Sequence, residues 1–187
     1  MQIALSVGSS FFVRSCYLQR LSVERLVPAA GLSQLELEDL MDAGLAFSAE
    51  KAALSYLGRA EHSRHLLVVK LRRKGHGEVA IVRALDYLEG QSYLCDSRFA
   101  EAWLRNRAIN HAEGRAKLLS GLLAKGVDRR TASQALDEYF KTVNQDSVLE
   151  RALEKCRRLG KSEDATERYL LRKGFSYKEI KSIMSNI

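Results

Sequence analysis

Apolar residues recur at three- and four-residue spacing over most of this chain, and glycines or capping residues break the pattern at regular intervals. From Ser48 onward this punctuation predicts nine helices. Ser48 caps a first, ending at Tyr56 or Leu57 before Gly58; Ser63 caps "RHLLVVKLRRK", stopped at Gly75; and "EVAIVRALDYLE" runs to Gly90. Asp96 is the expected N-cap of "DSRFAEAWLRNRAINHA", which fades near Gly114. "RAKLLSGLLAK" stops at Gly126, and "RRTASQALDEYFKTV" starts behind Asp128. "SVLERALEKCRRL" lies between Asp146 and Gly160, and "EDATERYLLRK" between Ser162 and Gly174. "YKEIKSIMSNI" opens with the capping-box pair Ser176 and Glu179.

Residues 1–19 follow a different rhythm. "QIALSV" and "FFVRSCYL" flank Gly8-Ser9-Ser10 and read as a β-hairpin, which is marginal alone and must pack on something. Pro28 and Gly31 mark a loop. "SQLELEDLMDAG" then gives a helix with a Ser33–Glu36 capping box and Gly44 as its expected stop.

The helical segments repeat in threes. Aligned on Gly75, Gly126 and Gly174, 51 and 48 residues apart, the apolar positions coincide: Ile81, Ala132 and Ile180, then Leu85, Leu136 and Met184. Each of these glycines follows a lysine. A phosphate-binding P-loop places its lysine after the second glycine and behind a strand, so Lys-Gly reads instead as a helix stop. The expected fold is all-α: a tandem array of three three-helix repeats, with a small N-terminal segment. The expected divisions are residues 1–47, 48–90, 91–143 and 144–187, each repeat burying its face against the next.

Charge adds a direction to this picture. The 187 residues carry a net charge of +7. Residues 1–50 hold 3 Lys/Arg against 6 Asp/Glu, residues 51–130 hold 16 against 8, and residues 131–187 hold 11 against 9. A basic middle suggests a polyanion or an acidic protein surface as partner. The candidate contact residues are Lys70, Arg72, Arg73 and Lys74, then Arg98, Arg105, Arg107, Arg115 and Lys117, then Lys125, Arg129 and Arg130. Trp103 and Phe99, four apart, read as core rather than as base-stacking residues.

Other chemistry is absent from the pattern. Cys16, Cys95 and Cys156 are odd in number and widely spaced, as reduced thiols of a cytosolic protein would be. The N-terminus lacks the form of a signal peptide, and no apolar run is long enough to cross a membrane. His62 and His65, three apart, have no further ligands at metal-binding spacing. Asp96, Glu101, Glu113 and Asp128 read as single carboxylates at caps or on exposed faces, without an acid/base pair. No catalytic site, metal or cofactor is expected.

"YLCDSRFAEAWLRNR" followed by "GRAKLLSGLLAKGV" resembles the hallmark of the RecX family of bacterial recombination regulators. That family carries Gly-x-Leu-Asp-Asp-x-Arg-Phe-Ala, then a glycine and a helix ending in Lys-Gly-Ile/Val. Asp96, Arg98, Phe99, Ala100, Gly114, Leu118, Lys125 and Gly126 match it. "LGRAEHSRHLLVVKLRRKG" is similar to an earlier family segment through Ser63, Lys70, Leu71, Lys74 and Gly75, and "LLRKGFS" resembles the C-terminal signature. Cys95 departs from the pattern where the first Asp is usual, as does His65 where Glu is usual.

The resemblance covers roughly residues 50–187. It implies three three-helix units in an elongated curved array, and a non-enzymatic protein that binds the RecA recombinase and its filament on single-stranded DNA; the chain is further expected to be monomeric and cytoplasmic. Such a protein would lie in the filament groove and damp ATP hydrolysis, strand exchange and coprotease activity. The residues alone leave two other readings open: a nucleic-acid-binding helical repeat acting without a recombinase, and a protein scaffold whose charge only confers solubility.

Overall fold

A computed structural model describes residues 1–4, 10–27 and 31–185. Among these residues lie two short strands, β1 (Gln2–Ala4) and β2 (Ser10–Phe12), and nine helices. The helices are α1 (Gln34–Leu57), α2 (Arg64–Arg73), α3 (Glu78–Gly90), α4 (Asp96–Asn110), α5 (Arg115–Leu123), α6 (Arg129–Thr142), α7 (Gln145–Arg158), α8 (Glu163–Arg172) and α9 (Tyr177–Met184). They fall into two compact units, residues 1–95 and 96–187. The expected turn residues Gly8 and Ser9, and Pro28 of the expected loop, lie outside the described residues.

In the first unit β1 and β2 pair antiparallel with Ile3 opposite Phe11. Val13, Tyr17 and Leu21 carry the chain from β2 across α1, burying against Leu40, Ala43 and Ala46. Helix α1 corrects two expectations. It runs unbroken through Gly44, expected as a stop, and through Ser48, expected as a cap. A Cβ at Gly44 would lie 2.7 Å from Cδ2 of Phe11, so the missing side chain is the seat for that ring. A mid-helix glycine costs about 1 kcal/mol, which burial of a phenylalanine against it offsets. The Ser33–Glu36 capping box forms as expected.

Polar groups fix the N-terminal segment to α1. The buried Asp39 carboxylate accepts hydrogen bonds from the backbone N–H groups of Gln19, Arg20 and Leu21 at 2.9–3.1 Å. Burial alone would raise the Asp39 carboxyl, but these donors and the nearby Arg83 charge outweigh it and hold it below its ordinary value. Glu50, 1% exposed, is gripped by Arg14 and accepts a 3.0 Å hydrogen bond from the Tyr17 hydroxyl. The Arg14 guanidinium also lies 4.7 Å from the centroid of Tyr87. Ala52, Ala53, Leu67, Leu71, Ile81, Leu85, Leu88 and Leu94 form the core among α1, α2 and α3.

The second unit repeats the three-helix theme twice. Leu118, Leu122, Ala132 and Leu136 are buried on α5 and α6, and Trp103 of α4 packs its ring edge 2.5 Å from where a Cβ at Gly121 would stand. Trp103 and the buried Phe99 are therefore packing residues, as expected. Val148, Leu149, Ala152, Leu153, Leu170, Phe175 and Ile180 form the core of α7–α9. Capping follows the expected residues at Ser63, Asp128, Ser162 and Ser176. Two starts differ. Helix α4 opens at Asp96 itself, and α7 is capped by Asn144, whose side chain accepts from the N–H of Asp146. An asparagine and an aspartate two residues apart offer equivalent caps, and only the path of the chain decides between them.

The Lys-Gly repeats are helix stops. Gly75, Gly126 and Gly174 have φ of +87°, +80° and +84°. After each, the next N–H reaches back to the carbonyl of a fully buried leucine: His76 to Leu71, Val127 to Leu122 and Phe175 to Leu170, at 3.1–3.3 Å. That is the 6→1 bond of a Schellman cap. Helix α3 ends likewise on Ser92 (φ +59°) rather than on Gly90, which stays helical.

The third Lys-Gly does more than stop a helix. The N–H of Gly114 donates to the carbonyl of Lys173 at 2.8 Å, and the two backbones touch. A Cβ on Gly114 would lie 2.6 Å from the Gly174 carbonyl carbon and 2.8 Å from the Phe175 nitrogen. A Cβ on Gly174 would lie 2.6 Å from Cβ of Lys117. The two loops cross with no side chain between them.

Candidate polyanion and partner-binding surfaces

The basic candidates divide between the two units. In the first, Lys70, Arg72, Arg73 and Lys74 close α2, where positive charge complements the helix dipole. Lys70 and Lys74 place their ammonium groups 4.6 and 5.8 Å from the centroid of Tyr56. Arg72 is held by Glu78 through two 2.7 Å hydrogen bonds, and this pairing raises its pKa while holding the Glu78 carboxyl down. Arg73 is exposed and makes no ion pair among the described residues.

In the second unit the candidates have different fates. Arg98 is half-buried in the first turn of α4, and Arg105 lies 3.7 Å from Glu101 one turn away. Arg115 is 2.6 Å from Asp137, with its guanidinium 6.0 Å from the Phe140 centroid. Lys117 is exposed and Lys125 half-buried. Arg129 and Arg130 are exposed in the first turn of α6, without an ion pair among the described residues. Cations there oppose the helix dipole, so helix stability does not explain them.

Arg107 is held by a buried carboxylate. Its guanidinium holds Glu113 through hydrogen bonds of 2.7 and 3.0 Å, and Lys173 adds a contact at 3.6 Å. Glu113 is only 4% exposed, which corrects the expectation of a single carboxylate on an exposed face. Burial pushes its carboxyl upward, but the Arg107 hydrogen bond and charge, with Lys173 and His111, win and hold it below the ordinary 4.5. Removing the charge by Glu113→Gln should cost about 2–3 kcal/mol at neutral pH, because two cations lose a buried partner. Since the folded pKa is depressed, this stabilisation is complete above pH 4.5 and fades as pH falls through the folded value. Denaturant unfolding of wild type and E113Q across pH should therefore show two curves converging on the acid side.

One basic group lies outside the sequence candidates. Arg151, Lys155 and Arg158 follow one another at i, i+4 and i+7 on α7, exposed beside its buried Val148, Leu149, Ala152, Leu153 and Cys156. With His111 after α4, Tyr169 of α8 and Lys173 at its C-terminal cap, they line a cleft of about 520 Å³. The signal was present in the helical spacing but hidden by the near balance of charge over residues 131–187. Among the described residues no group of three or more His, Cys, Asp or Glu is placed to hold a metal ion, and no helix is long and apolar enough to cross a membrane.

Residues 49–88 match the family model for the first three-helix domain of RecX, and residues 96–136 that for the second. These stretches end where α3 and α6 make their last buried contacts, near Leu88 and Leu136. The regulatory protein RecX of Treponema pallidum (strain Nichols) is 37% identical over 130 residues, 70% of this chain and 79% of that one. The chain belongs to the RecX family. A crystal structure of RecX from Lactobacillus salivarius, 26% identical, aligns with a TM-score of 0.66 over 76% of this chain and 96% of that one. A second crystal structure, of regulatory protein RecX and 22% identical, aligns at 0.78 over 98% of this chain and 94% of that one, and shows the shared fold. Both RecX domains keep the Lys-Gly stops at Gly75 and Gly126 described above.

Proposed function

We propose that this RecX-family chain is a non-enzymatic regulator that binds the RecA recombinase and its filament on single-stranded DNA. It damps the filament's ATP hydrolysis, strand exchange and coprotease activity, and so acts in DNA repair, recombination and the SOS response. It works as a cytoplasmic monomer and needs no cofactor. The observation that carries this reading is the pair of adjacent RecX domains. Arg73, Arg129 and Arg130 support it as exposed guanidinium groups with no ion pair among the described residues, suited to phosphates or to carboxylates on a protein.

The test is ATP hydrolysis by RecA on single-stranded DNA with increasing amounts of this protein. Inhibition at stoichiometric amounts is expected, and an unchanged rate would overturn the proposal. Replacing Arg73, Arg129 and Arg130 together by Glu should raise the concentration for half-maximal effect by at least about tenfold, equivalent to ~1.4 kcal/mol. Circular dichroism should show the helices intact, since none of the three supports the core.

A second reading, a nucleic-acid-binding helical repeat acting without RecA, is favoured by the cationic cleft along α7. Fluorescence anisotropy on DNA alone separates the two. Tight binding with a steep salt dependence and no effect on RecA would favour the second reading.

A further inference from the structure

The cleft between the end of α4, α7 and α8 combines three features that the candidate residues elsewhere do not share. It is concave, it is cationic, and it contains an aromatic ring. Arg151, Lys155, Arg158 and Lys173 line it, and the single carboxylate among its lining residues is Glu154. Glu154 sits 3.7 Å from Arg158, an exposed pair one helical turn apart that neutralises little. Lys155 makes no ion pair among the described residues. Lys173 is anchored from behind by the buried Glu113 at 3.6 Å, which fixes its ammonium near the ring of Tyr169, 5.7 Å from the centroid. Lys161 approaches the same ring to 5.9 Å.

We propose that this cleft binds a nucleotide unit of a single-stranded nucleic acid, its phosphates held by Arg151, Lys155 and Arg158 and its base against Tyr169. The volume of about 520 Å³ falls within the range of roughly 300–1,000 Å³ usual for small-ligand sites, enough for a nucleotide. Cations spaced one turn apart on α7 follow a phosphate backbone, since about 5.4 Å per helical turn is close to the spacing of successive phosphates in a strand. A duplex keeps its bases stacked inside and cannot use the ring, whereas a single strand offers an unstacked base. Tyr169 is half-buried and packs on the α7–α9 core, and an acidic peptide would satisfy the cations but leave what is exposed of its ring without a partner. The inference rests on the nucleic-acid part of the proposed function and adds to it a place in the third repeat and the chemistry of recognition.

The experiment is fluorescence anisotropy of labelled oligo(dT) with the full chain, over a salt series and without RecA. Lys155→Gln/Arg158→Gln should weaken binding at least about tenfold and flatten the log–log salt slope by about 1.4, at roughly 0.7 per lost phosphate contact. Tyr169→Ala should weaken binding by about tenfold with the slope unchanged. The charge-matched Lys178→Gln/Lys181→Gln on α9 should bind as wild type. Both double variants replace exposed side chains, and matching far-UV spectra would confirm that the fold persists.

No binding by wild type, equal loss in the two double variants, or a cleft variant that binds as wild type would overturn the assignment. Stronger competition by free dTMP or ATP than by an unlabelled strand would make this a nucleotide site and overturn the strand as occupant. The RecA hydrolysis assay keeps the two proposals apart. Inhibition of RecA with DNA binding untouched by the cleft variants sinks the cleft alone. Cleft-dependent DNA binding with no effect on RecA sinks the regulator alone.

Discussion

Replacing Gly114 by alanine is expected to cost about 3 kcal/mol and to lower the melting temperature by roughly 10 °C. The reason is space alone. Gly114 has φ −77° and ψ 169°, an extended conformation open to any residue. Its added methyl would meet the backbone of Gly174 and Phe175 within 3 Å, and backbone cannot swing aside as a side-chain tip can. The N–H to the Lys173 carbonyl would be pushed apart as well. Gly77 provides the comparison. It occupies the equivalent cap before α3 with φ −71° and ψ 153°, and nothing lies within 4 Å of its Cβ position. Gly77→Ala should cost under about 1 kcal/mol. Thermal unfolding followed by the fluorescence of Trp103, in the same unit as Gly114, measures the first; equal effects at the two glycines would refute the crossing as its cause.

Asp39→Ala is the second large effect, expected at about 3–4 kcal/mol. Three peptide N–H groups converge on one carboxylate, and without it they remain in a site where Leu21 is only 4% exposed. Each orphaned buried donor costs about 1–3 kcal/mol, partly relieved where water reaches Gln19 and Arg20. Asp39→Asn should cost less, since its amide oxygen can take the place of Oδ2, which accepts from all three, and only the N–H of Gln19 then faces an amide donor. Hydrogen exchange at residues 19–21 should become fast in Asp39→Ala while the amides of α5 and α6 are unaffected. Because the folded carboxyl titrates below its ordinary 3.8, the stabilisation is complete above that pH and is lost as pH falls through the folded value.

Much of the helical order was legible because its signals are local. Ser63, Asp128, Ser162 and Ser176 cap within three residues of themselves, and the Lys-Gly stops act through the next N–H. Signals that depend on distant neighbours were misread. Gly44 has the composition of a stop, and only Phe11, 33 residues away in sequence, makes it a packing surface. Glu113 lies in a polar stretch between helices, and its burial depends on Lys173 arriving from α8. The basic residues were legible as charge, but their pairing and burial were not. A count of Lys and Arg finds Arg107 and passes over Arg151, Lys155 and Arg158, because it cannot tell a cation held by a buried carboxylate from one left facing a cleft.

The unbroken course of α1 has a consequence for how the first unit comes apart. The half of the helix before Gly44 buries Leu40 and Ala43 against the N-terminal strands and loops, while the half after it buries Ala52 and Ala53 against α2 and α3. One rod of 24 residues therefore belongs to two cores, and its hydrogen-bond ladder couples them. Opening of one core frays the helix into the other. Residues 1–95 should exchange their slowest amides at a common rate, as a single cooperative foldon.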